Sequence, residues 1–387
     1  MSVIIAWLAQ GKIRLKCGDE TPRTVESRFG QGIRDRTLKA QQRHGWKASG
    51  EGEKFLAGAM LWGRSNPDAA AVRVAITSLC RGAERGQLLY ALETDDMCSV
   101  LQLDQLGAEE RRLWNKNATR LDHLDVSERG DVACSIRHTV GTANLAVRPA
   151  DETGFGEVTE GDSVDTAPRW IPGEGRRLVF QSAGVGRDRH GHFAGLGPFA
   201  IQRLDVDTGE MTPLLEEPHH DLLGPQMAAD GTLYFIRRPH LTGREVHPFR
   251  MLKDIVLFPF RLLAAVFHFL QFFSMRYTGK KLTSADGARS READLKQMMI
   301  WGNMVSAQRV KDGEGSPDLA PKWELVRRQP DGAEQVLAKS VVSFDLAPEG
   351  TVYYSNGSAI FALPPGGKKQ RLVSESMIER VVVLGAA

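Results

Sequence analysis

The sequence predicts an all-β fold built by repetition, a six-bladed β-propeller of four-stranded blades. Three observations predict it. First, residues 167–182 (APRWIPGEGRRLVFQS), 224–239 (GPQMAADGTLYFIRRP) and 343–358 (SFDLAPEGTVYYSNGS) share one pattern. Each is a short strand, a turn of Pro, Gly or acidic residues, and a strand rich in β-branched and aromatic residues. Internal repeats of this size mark repeat architectures. Second, each is followed by two further runs in which apolar and polar residues alternate about a turn, the mark of half-buried antiparallel strands. Third, the chain opens with three strands that lack a first and ends with one that lacks successors. The ends therefore complete one blade between them and remove exposed sheet edges.

Taking the strands of a blade as A to D, SVIIAWLAQ, GKIRLKC and PRTVES (2–27) supply B, C and D of the opening blade, and ERVVVLGAA (379–387) its A strand. VRVAITSL, QLLYALET, SVLQLDQ and ERRLWNK (72–116) make the second blade, and LDHLDVSERG, DVACSIRHT, ANLAVRPA and GEVTEG (121–161) the third. The fourth pairs 167–182 with PFAIQRLDVDTGEMTPLLEE (198–217), the fifth 224–239 with KWELVRRQPDGAEQVLAKS (322–340), and the sixth 343–358 with SAIFALPPGGKKQRLVSES (358–376). The turn glycines Gly175 and Gly231 are 56 residues apart; Gly231 and Gly350 are 119 apart because a long insertion separates them.

Pro168, Trp170, Pro172, Gly175, Phe180 and Ser182 resemble the P-x-W-S-P-D-G…F-x-S repeat of TolB-like six-bladed propellers, a WD-type repeat family. Pro225, Asp230, Gly231 and Phe235 are a second partial match, and Glu349, Gly350 and Tyr354 a third. The chain departs from the motif where Ile171 replaces Ser and Gly173-Glu174-Gly175 replaces Asp-Gly. The resemblance covers 165–387 and implies a fold, not a chemistry, because the motif is structural. It also implies the company of bacterial multiprotein systems.

Six blades and their insertions use all 387 residues, so the expectation is one domain, with insertions at 28–70 and 240–300. A net charge of +2 gives no pull toward nucleic acid. The four cysteines, Cys17, Cys80, Cys98 and Cys134, are scattered, which suits a reducing compartment without a metal or disulfide framework. Val3–Leu8 is too short an apolar run for a signal peptide. The expected location is the cytoplasm, with peripheral contact to the inner membrane if the apolar insertion meets lipid.

Because strands alternate in direction, B–C and D–A connections share one face of a propeller. The interruptions 28–70, 183–197, 219–221 and 240–300 all fall on that face, where function is expected. Residues 255–275 read IVLFPFRLLAAVFHFLQFFSM, with 16 apolar residues among 21. Read as a helix, Arg261, His268 and Gln271 confine its polar side to about 80° of the wheel. The remainder, including Leu257, Phe258, Phe260, Phe267, Phe269, Leu270, Phe272 and Phe273, needs a cover. A protein partner or second copy docking through 250–276, a membrane surface, or the propeller itself are the three covers. Both ends return to the same blade, which excludes a transmembrane span. Arg34, Arg36, Lys39 and Arg43 make the other insertion a basic, partly helical surface for an acidic partner. Nucleic acid is disfavoured for want of interleaved aromatics.

Chemistry is less legible. No G-x-S-x-G, H-E-x-x-H or P-loop is present. His190, His192, His219, His220 and Asp221 have the residue types of a metal site, spread over several loops. Asp125, Asp165, Asp221 and Asp345 lie near A-strand starts, where a lactonase-like propeller would hold a divalent cation in its channel. The expectation is a non-catalytic interaction scaffold without cofactor or metal. The alternative is a metal-dependent, lactonase-like hydrolase using these histidines or acids.

Overall fold

A computed structural model describes residues 3–48, 74–104, 109–240, 296–300, 303–307 and 322–386. They belong to one compact unit drawn from both sides of residues 241–295. The opening strands are β1 (Val3–Ala9), β2 (Lys12–Cys17) and β3 (Arg23–Val25), followed by helix α1 (Arg28–Ala48). Next come β4 (Ala75–Arg81), β5 (Leu88–Glu93), β6 (Met97–Asp104) and β7 (Glu109–Asn117). β8 (Arg120–Val126), β9 (Val132–Arg137), β10 (Ala143–Arg148) and β11 (Gly156–Glu157) follow. Then come β12 (Ser163–Trp170), β13 (Arg177–Arg187), β14 (Phe193–Leu196), β15 (Ala200–Asp205) and β16 (Met211–Leu215). β17 (His220–Met227) and β18 (Leu233–Pro239) precede a hairpin of β19 (Lys296–Ile300) and β20 (Asn303–Ala307). The chain continues through β21 (Glu324–Arg328), β22 (Glu334–Lys339), β23 (Ser343–Leu346), β24 (Val352–Ser355), β25 (Ala359–Leu363), β26 (Gln370–Ser374) and β27 (Ile378–Ala386).

Four-stranded antiparallel meanders are the rule: β4 to β7, β17-β18-β21-β22, and β23 to β26. A nine-stranded sheet is two such groups, β8 to β11 and β12-β13-β15-β16 with β14 attached, linked by the single parallel bridge Ala143–Val164. The remaining sheet, β27-β1-β2-β3, joins the two ends of the chain, with Ala6 opposite Val382 and Trp7 opposite Val381. The innermost strands touch in cyclic order β4, β8, β12, β17, β23, β27 and back to β4. Six hydrophobic clusters fill the spaces between successive groups, for example Leu79 and Tyr90 against Ile13 and Val382, or Leu222 and Phe235 against Val179 and Ile201. Burying each large apolar side chain is worth roughly 1.5–3 kcal/mol, so these clusters hold neighbouring sheets together.

The inner turns explain the repeat. Gly231 donates to Ala228 O at 2.9 Å and Ala228 donates to Thr232 O at 2.9 Å; Gly350 and Ala347 repeat the pair at 2.9 and 3.0 Å. The φ values of Gly231 and Gly350, 82° and 83°, are left-handed, which explains the glycine in each copy. Ser127 and Gly130 make the same two bonds in a weak copy of the repeat.

Two expectations need correction. Residues 183–197 are not an open loop, because β13 runs on to Arg187 and pairs with β14 as a projecting hairpin. The connection from β18 to β21 does not close at residue 300; the β19–β20 hairpin lies within it, and the sheet resumes at Glu324.

Candidate functional site

The innermost strands converge on an axial channel. Most are interrupted by a β-bulge: the register shifts between Ile76 and Ser78, Asp122 and Asp125, Thr166 and Arg169, Leu223 and Gln226, and Leu8 and Ala9 opposite β27. A bulge bends its strand and re-aims the extra residue. His123, Ala167 and Gly224 take left-handed φ values of 54°, 54° and 57° there. These positions wall a chamber of about 110 Å³: Thr77, His123, Ala167, Gly224 and Glu379 from the bulges, Ser343 from β23, and Arg169, Gln226 and Arg380.

A wider funnel of about 1380 Å³ opens on the side of the inner turns, lined by Ser127, Pro172, Ala228, Pro348 and Gly385 among others. Arg169 and Gln226 border both spaces. Arg169 is the partition. It bonds Asp125 at 2.9 Å and also pairs with Asp345. In the cyclic order β8 and β23 are opposite one another, so this guanidinium ties the ring across its axis. Burial works against its charge, yet the carboxylates of Asp345 and Asp125 hold its pKa above the ordinary value.

Asp125, Arg169, Gln226 and Asp345 each lie two residues before the first residue of an inner turn. Three of them zip adjacent inner strands: Asp125 accepts from Trp170 N at 2.8 Å, Gln226 from Leu346 N at 3.1 Å, and Asp345 from Val383 N at 2.8 Å. Within the chamber Arg380 donates to His123 Nδ1 at 3.3 Å. Burial, reinforced by the charges of Arg380, Arg137 and Arg169, pushes the His123 pKa well below its ordinary value, so the ring is neutral and accepts at Nδ1. Burial pushes Glu379 up to about 7, against a backbone hydrogen bond from Gly11.

The acids expected to hold a cation are committed elsewhere. Asp125 and Asp345 hold Arg169; Asp165 accepts from Ser182 at 2.7 Å; Asp221 pairs with Arg238 at 2.8 Å and His240 at 2.7 Å. The histidines are dispersed. His190 and His192 sit exposed at the β13–β14 hairpin tip around Asp188, whereas His219 is exposed before β17 and His220 pairs with Glu217 at 2.9 Å. Among the described residues no three His, Cys, Asp or Glu side chains are grouped to hold a metal ion.

Arg34, Arg36 and Lys39 are exposed on α1, Arg34 and Arg36 bonding Val74 O and Gly32 O. Arg43 lies on the same helix. The helix starts where Ser27 accepts from Gly30 N at 2.9 Å, an N-cap, while Glu110 accepts from Phe29 N at 2.9 Å. Leu257, Phe258, Phe260, Arg261, Phe267, Phe269, Leu270, Phe272 and Phe273 lie outside the described residues. Sequence reasoning missed His123, Arg169, Gln226, Glu379 and Arg380. The recurrent polar residue two before an inner turn was an available signal for Arg169 and Gln226; nothing local marked His123, Glu379 or Arg380.

No protein-family model matches the chain, and no curated protein matches it in sequence. Solved structures do. TolB from Acinetobacter baumannii is 11% identical with a TM-score of 0.51, over 99% of this chain and 67% of that one. A chain of a nidogen–laminin complex is 8% identical with a TM-score of 0.51, over 99% and 98%. A candidate 6-phosphogluconolactonase from Bacteroides fragilis is 10% identical with a TM-score of 0.45, over 99% and 98%. At these identities the likeness to the first two shows the fold, a β-propeller.

Proposed function

We propose that this chain is a six-bladed β-propeller acting as a non-catalytic interaction scaffold. The cyclic contact of six inner strands and the six inter-sheet clusters support the blade count. The observation that carries the scaffold reading is that Asp125, Asp165, Asp221 and Asp345 are all bonded within the fold. They stiffen the ring rather than stand free for a cation. The partner, second copy or membrane surface docks on the apolar stretch 255–275, and the exposed Arg34, Arg36 and Lys39 of α1 offer a basic surface beside the ring. Among the described residues no helix is long and apolar enough to cross a membrane.

The test replaces residues 245–295 with a short Gly/Ser linker and compares sedimentation, partner capture and liposome flotation with the intact chain. The expected result is a folded protein that has lost one of these associations, and which one is lost identifies the cover. A variant that unfolds, or that associates as the intact chain does, makes the segment an internal lid and ends the docking reading. The hydrolase alternative is tested apart: a stoichiometric divalent metal in the purified protein, lost on substituting Asp125 and Asp345, would restore it.

A further inference from the structure

We infer that the inner chamber is a binding site for a small oxyanion, a phosphate or a short carboxylate, gripped by Arg380. The inference is independent of what docks on the outer surface. Arg380 stands on β27 deep in the ring, half-buried because it borders the chamber. Among the described residues its side chain bonds the neutral His123. Among the described residues no carboxylate lies within ion-pair distance of it. The nearby carboxylates are committed elsewhere, Asp125 and Asp345 to Arg169 and Asp122 to Arg137. Burial opposes the charge on Arg380, and Arg169 repels it. Glu379 lines the same chamber, but burial holds it largely protonated below about pH 7, so it is a weak counter-ion there.

A partly desolvated guanidinium without a counter-ion is costly, and its planar fork matches an oxyanion bidentately. The size agrees. A space of about 110 Å³ has room for a few waters or one compact oxyanion. The neutral His123 accepts one Arg380 hydrogen bond and thereby fixes the direction of the fork. A ligand reaching the chamber from the funnel must pass Arg169, which borders both spaces.

The experiment titrates inorganic phosphate, and separately malonate, into the full-length protein at constant ionic strength set with chloride, reading thermal melting and isothermal titration calorimetry. Ligand that binds only the folded chain raises its stability with concentration. The expected result is a saturable rise of a few degrees with at least one of the two anions, absent in Arg380→Met. Arg380→Met is also expected to melt no lower than the wild type in anion-free buffer, because it removes an uncompensated, half-buried charge. No rise beyond the chloride control, or an equal rise in Arg380→Met, overturns the inference. Should Arg380→Met fail to fold, Arg380→Lys decides: it keeps the charge and loses the fork, so at least tenfold weaker binding supports the site and unchanged affinity refutes it.

Discussion

At the scale of the residue, the channel is a place where charge does mechanical work. Arg169 joins Asp125 to Asp345 across the ring. Arg169→Leu leaves two buried carboxylates without their cation, and removing one partner of a buried ionic group costs about 3–5 kcal/mol. A lower urea midpoint is expected, partly recovered when Asp125→Asn and Asp345→Asn are added. An unchanged midpoint would show that the bridge carries no stability. Glu379 makes the opposite kind of contribution. Its pKa lies at about 7 in the folded chain against 4.5 unfolded, so the folded state holds the proton more tightly. Stability from this group is full below pH 4.5 and is lost as pH rises through about 7, worth roughly 3 kcal/mol at most. Glu379→Gln is therefore expected to gain stability relative to wild type at pH 8 and none at pH 4. His123 opposes it, since its lowered pKa makes the fold lose stability as pH falls below 6.5. Chemical denaturation of Glu379→Gln and His123→Asn at several pH values separates the two; Asn suits the left-handed φ at 123.

At the scale of the element, the terminal strand closes the ring. β27 pairs with β1 along its length and buries Val381, Val382 and Val383. Deleting residues 379–387 strips the partner from β1 and exposes those apolar faces, each worth roughly 1.5–3 kcal/mol. A melting temperature lower by ten degrees or more, or insoluble protein, is expected. A truncation that melts with the intact chain would refute closure by shared strands. The strands themselves were legible because alternation and turn residues are local. The bulges at His123, Ala167 and Glu379 were not, since a bulge is a mismatch between two strands and neither strand displays it alone. The β13–β14 hairpin escaped for a similar reason: Gly184, Gly186, Gly195 and Gly197 read as loop, yet the two chain segments pair closely through them.

At the scale of the whole molecule, the repeat, the strand count per sheet and the complementary chain ends are written in the sequence. Burial periodicity and turn chemistry act over a few residues, and the copies can be compared with one another. The propeller fold followed from them. What only the tertiary structure decided is which polar residues meet at the axis. Asp125, Arg169 and Asp345 come from three separate repeats, and Arg380 from the strand that the last residues lend to the first sheet. The side chains of the channel come from different repeats, and its chemistry exists only when the ring brings them together. The physical reason is distance. Local sequence sets strands and turns through short-range forces, whereas a charge network across an axis is selected by closure and by the cost of burying a charge without a partner.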